Sequence, residues 1–143
     1  MKFRAAKKTD LFDIQALLEE SQLPSEDCEN HLENFLVVEL DNDLVGAGGV
    51  ELYHDIALLR SVVVRTDVRG QGVGAKIFFE VKKYAHRQGV KEFYLLTETA
   101  QDYFKNHGFV KISREAAPHS IKQTEQFSGL CSCSATVMKL HLE

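Results

Sequence analysis

The chain has 143 residues, 44% of them hydrophobic and 27% charged, with two prolines, three cysteines and a formal net charge of -4. That length fits a single domain over residues 1–143, which would bury about 68% of the surface its unfolded chain exposes. The acidic balance argues against nucleic acid as a partner, the odd cysteine count against a disulfide framework, and the lack of an apolar leader or of a run near ~20 apolar residues against export or a membrane partner, so the expected location is the cytoplasm.

Met1 to Ala6 predicts a short first strand, after which Thr9 or Asp10 is placed to cap a helix carrying Leu11, Ile14, Leu17 and Leu18 on one face. That helix stops by Pro24. Ser25 is placed to cap a second short helix ending near Asn34, with Glu26 and Asp27 in its first turn, where the helix dipole favours negative charge. Phe35 to Leu40 reads as a strand, Asp41-Asn42-Asp43 as a hairpin turn, and Leu44 to Leu52 as the returning strand despite three glycines that weaken its propensity. After a turn at Tyr53-His54-Asp55, Ile56 to Arg65 is nearly all apolar, as a central strand covered on both faces requires.

A glycine-rich turn then enters a helix in which Val73, Ile77, Val81 and Ala85 recur every four residues, opposite Lys76, Glu80, Lys83 and Arg87. Gly89 closes it, Phe93 to Thr97 forms the next strand, and Thr99 to His107 reads as a helix ended by Gly108. Phe109 to Ser113 and Thr136 to Leu142 read as final strands, with a helical stretch from Pro118 to Gly129 between them. This order predicts an α+β sheet covered by helices.

The turn itself runs Val64-Arg65-Thr66-Asp67-Val68-Arg69-Gly70-Gln71-Gly72-Val73-Gly74. Glycine allows close backbone approach and positive φ, and the N–H groups at the start of the following helix favour an anion such as a pyrophosphate. The spacing lacks the Gly-Lys-Ser/Thr end of a Walker loop and does not match the G-x-G-x-x-G of dinucleotide folds. Arg69-x-x-Gly72-x-Gly74 does resemble the R/Q-x-x-G-x-G/A acyl-CoA signature of the GNAT acetyltransferases, and Val62-Val63-Val64 resembles the hydrophobic strand before it. Ala100-x-x-Tyr103-Phe104-x-x-x-Gly108-Phe109 resembles the family's later helix and final turn, so the likeness covers about residues 44–112.

The resemblance implies a GNAT fold, with a mixed central sheet of six to seven strands, flanked by about four helices and splayed at the acyl-CoA site. It implies acetyl-CoA as cosubstrate, no metal, and direct transfer of acetyl to a primary amine of a small molecule. The backbone of Arg69, Gly70, Gln71, Gly72, Val73 and Gly74 would hold the pyrophosphate. Val62, Val63 and Val64 would meet the pantetheine arm like an added strand, a Val64-region N–H would stabilise the oxyanion, and Phe104 would lie against the cofactor. Homodimers are common in the family. A CoA-binding sensing module with little catalysis, and a peptide acetyltransferase, are the alternative readings.

Many members carry a tyrosine four residues before the Gly-Phe of the final turn, where it can protonate the leaving thiolate. Phe104 stands there, and the adjacent Tyr103 is the candidate acid, although one residue along a helix turns about 100°. Glu51, at a strand end, is the candidate base for the amine, directly or through water, or else a solvated glutamate; His54 and Asp55, in a turn, are weaker candidates. Arg60, an arginine in an apolar strand, would be costly to bury unpaired, so it either holds a substrate carboxylate or pairs with Glu51 or Glu98.

The tail from Arg114 to Leu142 resembles small GNAT proteins associated with arsenic-resistance gene sets and, more distantly, the acetyltransferase domain of N-acetylglutamate synthase. That likeness implies an amino-acid-like acceptor, although Ser132 stands where the synthase pattern has an arginine. Cys131-x-Cys133 with Cys28 invites a soft metalloid or reads as small, partly buried thiols. His31, His86, His107, His119 and His141 lack metal-ligand spacing and read as surface or packing residues.

Overall fold

The computed structural model describes residues 1–130 and 134–142. Seven strands form one mixed sheet in the order β1-β2-β3-β4-β5-β7-β6. They are β1 (Lys2–Ala5), β2 (Phe35–Leu40), β3 (Asp43–Tyr53), β4 (Ile56–Val64), β5 (Glu92–Thr97), β6 (Val110–Ile112) and β7 (Thr136–His141). β4 and β5 run parallel and the other neighbouring pairs antiparallel. The helices are α1 (Leu11–Glu20), α2 (Val73–Arg87), α3 (Gln101–Lys105) and α4 (His119–Lys122), with a π-helical turn at Gln126–Leu130. None of them is long and apolar enough to cross a membrane.

The strands and α2 follow the sequence expectation to within a residue or two at most ends. The β2–β3 hairpin turns through Asp41 and Asn42, both at positive φ, the backbone twist that suits two-residue hairpins. The glycines of β3 serve packing: a Cβ at Gly49 would stand 2.3 Å from the Phe35 ring, and one at Gly48 2.5 Å from Ile77 of α2. Their helix and ring neighbours therefore sit closer to the sheet than any side chain would allow.

Several local expectations are corrected. The stretch after Ser25 is a 3₁₀ segment over Cys28–Asn34, not a helix capped by Ser25, whose hydroxyl donates to Glu19 instead. Asp10 precedes α1 but does not cap it with its side chain. Its carboxylate accepts from the Lys7 N–H and the Arg4 guanidinium, tying β1 to the approach of α1. The helix expected over residues 99–107 is confined to Gln101–Lys105, where Thr97 Oγ1 accepts the Ala100 N–H just before it. The helical stretch after Pro118 breaks into α4 and the π-turn, with Thr124 bonded back to the Ile121 carbonyl between them.

One face of the sheet packs α2 through Val73, Ile77, Phe78, Val81 and Ala85 onto Val38, Val45, Val50 and Phe93. The other face carries two apolar clusters. α1 and the Cys28–Asn34 segment cover Phe35, Val37, Ala47 and Val63. α4 with its surroundings covers Leu58, Tyr94 and Val137.

Candidate functional site

β4 and β5 are paired through Ile56–Glu92, Ala57–Phe93 and Leu58–Tyr94. Beyond those pairs β4 continues to Val64 and β5 to Thr97, so the two strands part and leave inner edges able to accept an extended guest. β4 also slips in register against β3, where Ala47 faces Val63 but Gly49 faces Arg60. Such a bulge re-aims backbone groups, and Ser61 within it adopts φ of 59°, a conformation that costs a non-glycine residue energy and marks functional sites.

The parted end of β4 leads through the 3₁₀ turn Thr66–Val68 into the glycines and α2. Gly70 and Gly72 have φ of 81° and 79°, and a Cβ on either would meet nothing within 4 Å, so this turn is open on its outer side. Gly72 caps α2 with no side-chain hydrogen bond and no acidic residue in the first turn, an arrangement whose helix dipole favours an anion. Val62 and Val64 are partly buried towards the α2 side, whereas Val63 is buried beneath α1. The Arg69 side chain folds back, donating from Nε to the Val64 carbonyl at 3.0 Å and from Nη2 to Ser21 Oγ at 2.7 Å. It ties the end of α1 to the glycine turn.

Tyr103 and Phe104 divide their tasks in a way the helical pattern alone leaves open. Phe104 packs edge-on to Phe109 and against the core under α2. Tyr103 is exposed, packs its ring at a tilt against His107, and holds its hydroxyl 3.7 Å from where a Cβ on Gly74 would be, beside Val64. Its hydroxyl therefore stands over the start of α2. Partial desolvation beside Phe104 and His107 pushes the half-exposed Tyr103 phenol up, which keeps it protonated and able to donate.

Arg60 sits beside the bulge with no side-chain exposure. Asp27, from the loop before the 3₁₀ segment, accepts from both terminal nitrogens, and Glu51 Oε2 accepts from Nη1 at 2.7 Å. Of the sequence expectations for Arg60, pairing with Glu51 is found, and Asp27 is a partner the sequence reading missed. Glu51 is 1% exposed, so it is no solvated strand-end residue. Its Oε1 accepts the Tyr53 hydroxyl and lies 3.5 Å from His31 Nε2. Gln126, from the π-turn, donates to Asp27 at 3.4 Å, and the Cys28 thiol lies 3.9 Å from Arg60. His31, which in the sequence reads as a surface or packing residue, stands against this cluster with its side chain 25% exposed. His54 lies in the β3–β4 turn at positive φ, as expected of a turn residue.

Burial pushes the Asp27 carboxyl up, but the Arg60 hydrogen bonds and charge outweigh it and leave it below the usual carboxylate range. Burial raises the Cys28 thiol, and burial together with Glu51 raises the Tyr53 phenol. A carboxyl held below its unfolded value of about 3.9 contributes stability that is full above that value and lost as pH falls through the folded value. Urea midpoints at pH 7, 5 and 3 are therefore expected to hold to pH 5 and drop by pH 3, with a shallower drop in Asp27→Asn. An equal drop in the variant would remove Asp27 from the account.

Among the described residues, Asp27, His31 and Glu51 bring possible metal-ligand atoms within 4.8 Å of one another. Each oxygen of the two carboxylates already accepts a hydrogen bond, and the guanidinium supplies the positive charge a cation would bring. The donor set thus fits an arginine-centred network better than an ion. Cys131 and Cys133 lie outside the described residues, so the suggested three-cysteine site has only buried Cys28 on view.

A family model for the acetyltransferase (GNAT) domain matches residues 31–111. An uncharacterized N-acetyltransferase of Chlorobaculum tepidum is 26% identical over 97 residues, covering 67% of this chain and 62% of that protein. The amino-acid acetyltransferase of Vibrio cholerae is 23% identical over 118 residues, 78% of this chain but 26% of that one. The chain thus aligns with less than two thirds of either relative. Among solved structures, N-acetylglutamate synthase from Neisseria gonorrhoeae, complexed with coenzyme A and N-acetyl-glutamate, superposes with a TM-score of 0.86 at 21% identity, over 99% of this chain and 35% of that one. A Mycobacterium tuberculosis protein in complex with CoA gives 0.84 at 20% identity over the full length of both. At such identity the likeness is one of fold.

Proposed function

The chain belongs to the GNAT acetyltransferase domain family, and from that premise we propose that it transfers acetyl from acetyl-CoA to a primary amine of a small molecule of the amino-acid class. The observation that carries this reading is the parting of β4 from β5 directly ahead of the open glycine turn. A cosubstrate fits there with its pyrophosphate over the N–H groups of residues 69–74 and its pantetheine along β4. The thioester then lies near the bulge at Ser61, where a backbone N–H re-aimed by the bulge stabilises the oxyanion. The Val64 carbonyl already accepts one hydrogen bond from Arg69, which leaves its second lone pair for the cosubstrate.

The amine attacks the thioester carbonyl carbon in a ternary complex, and the tetrahedral intermediate collapses with loss of the CoA thiolate. No protein nucleophile is needed. Tyr103 or water protonates the thiolate; the Tyr103 hydroxyl stands beside Gly74 and Val64, at the pyrophosphate end of the cosubstrate, so it reaches the sulfur only if its side chain swings along β4. Glu51 serves the proton path from the amine. Arg60, already held by Asp27 and Glu51, shapes the acceptor side rather than binding a substrate carboxylate. The names of the aligned acetyltransferases favour an amino-acid-like acceptor. Residues 1–143 then act as one domain in the cytoplasm.

Calorimetry with acetyl-CoA, followed by thiol release across amino acids, glutamate analogues, polyamines and peptides, tests the proposal. Binding with turnover on one amine class supports it, and binding without turnover on any amine favours a sensing module. Tyr103→Phe is expected to lower kcat by about 10²-fold, the lower end for general acids because a thiolate is a tolerable leaving group. CoA affinity should stay unchanged. An unchanged kcat would remove Tyr103 from the mechanism.

A further inference from the structure

The charged network around Arg60 has one member that reaches solvent. The side chains of Asp27, Glu51 and Arg60 are 0–1% exposed, while that of His31 is 25% exposed. Glu51 has no free oxygen facing outwards: Oε2 accepts from Arg60, and Oε1 accepts from Tyr53 and faces His31 Nε2 at 3.5 Å. His31 and Tyr53 are the partly exposed groups at Glu51 Oε1, and since the Tyr53 hydroxyl is already donating to that oxygen, the imidazole is the better placed of the two to accept a proton. The network also lies at the right place on the sheet. Arg60 is two residues past the last β4–β5 pair, and its Nε donates to the hydroxyl of Ser61, the residue at positive φ in the bulge.

We propose that His31 is the catalytic base that takes the proton from the attacking amine, with Glu51 as the positioning residue that orients the ring and stabilises the imidazolium. The inference rests on the acetyl-transfer reading above. In this step the amine nitrogen forms a bond to the thioester carbon, and its surplus proton passes to the imidazole of His31. The carbon–sulfur bond then breaks, and the thiolate leaves with a proton from Tyr103 or water. His31 afterwards returns its proton to solvent, so the cycle closes with amide and free thiol as the products. Asp27 and Glu51 together carry one more negative charge than Arg60 neutralises, which suits an imidazolium forming beside them. A histidine backed by a buried carboxylate, itself held in place by further hydrogen bonds, follows the orienting logic of base-and-carboxylate pairs. A gap of 3.5 Å is loose, as such contacts often are before substrate binds.

The test is kcat for thiol release in His31→Ala and His31→Gln, with CoA affinity measured on each as a control for folding, and with free imidazole added back to the alanine variant. We expect kcat to fall by about 10²–10⁴-fold in both, CoA affinity to stay at the wild-type value, and imidazole to restore part of the turnover in His31→Ala. Glu51→Gln should lower kcat with the acceptor KM within twofold of wild type. Wild-type turnover matched by either His31 variant, or a loss that imidazole leaves untouched, overturns the assignment of His31 while acetyl transfer stands. A wild type that binds CoA and acetylates no amine overturns the transfer reading, and this assignment with it.

Discussion

Gly72→Glu is expected to weaken CoA binding by about 10³-fold or more while the protein stays folded. Gly72 has φ of 79°, which costs an ordinary residue about 1–2 kcal/mol. The added Cβ meets nothing within 4 Å, so no clash adds to that strain. The carboxylate, however, would stand at the helix start where the pyrophosphate is proposed to lie, and opposed like charges cost several kcal/mol. At 1.4 kcal/mol per factor of ten, about 4 kcal/mol gives the expected 10³-fold. Calorimetry against CoA measures it, with a thermal melt to confirm folding. Gly72→Ala carries the same φ strain without the charge and should lose far less affinity. Wild-type affinity in a folded Gly72→Glu protein would sink the cofactor site.

Asp27→Ala is expected to destabilise the protein by about 3–5 kcal/mol, because removing one partner of a buried pair strands the other charge. Arg60 would keep Glu51 but lose both hydrogen bonds from its terminal nitrogens to Asp27. Against a total of about 5–15 kcal/mol for a domain of this kind, that is a large fraction. Replacing the set together, as Asp27→Leu with Glu51→Leu and Arg60→Met, should cost less than the single change, since no buried charge is left unpaired. The urea midpoint with its slope reads both. A small effect of Asp27→Ala, or a triple variant weaker than the single one, would mean that the network is not held by charge pairing.

The fold was legible largely because its signals are local. α2 appears in the four-residue recurrence of Val73, Ile77, Val81 and Ala85, all buried in the structure. The glycine turn appears because strand, glycines and helix follow one another in the chain. In the sequence the 3₁₀ segment Cys28–Asn34 reads as a helix because Glu26 and Asp27 imitate an acidic first turn. In fact Asp27 is drawn inward by Arg60, a residue 33 positions away. One signal for the network was present: an arginine in an apolar strand requires a buried anion. Which anion, and that His31 would stand beside it, has no trace in residue spacing.

The sequence by itself determined the strand order along the chain, the amphipathic helix and the glycine turn, since backbone periodicity and conformational freedom act between near neighbours. Only the tertiary structure decided where β4 leaves β5, that Tyr103 rather than Phe104 stands over the turn, and that Asp27, His31, Glu51, Tyr53, Arg60 and Gln126 converge. Those outcomes depend on the sheet's register, the bulge at Ser61 and the covering of a buried charge, all of which join residues distant in the chain.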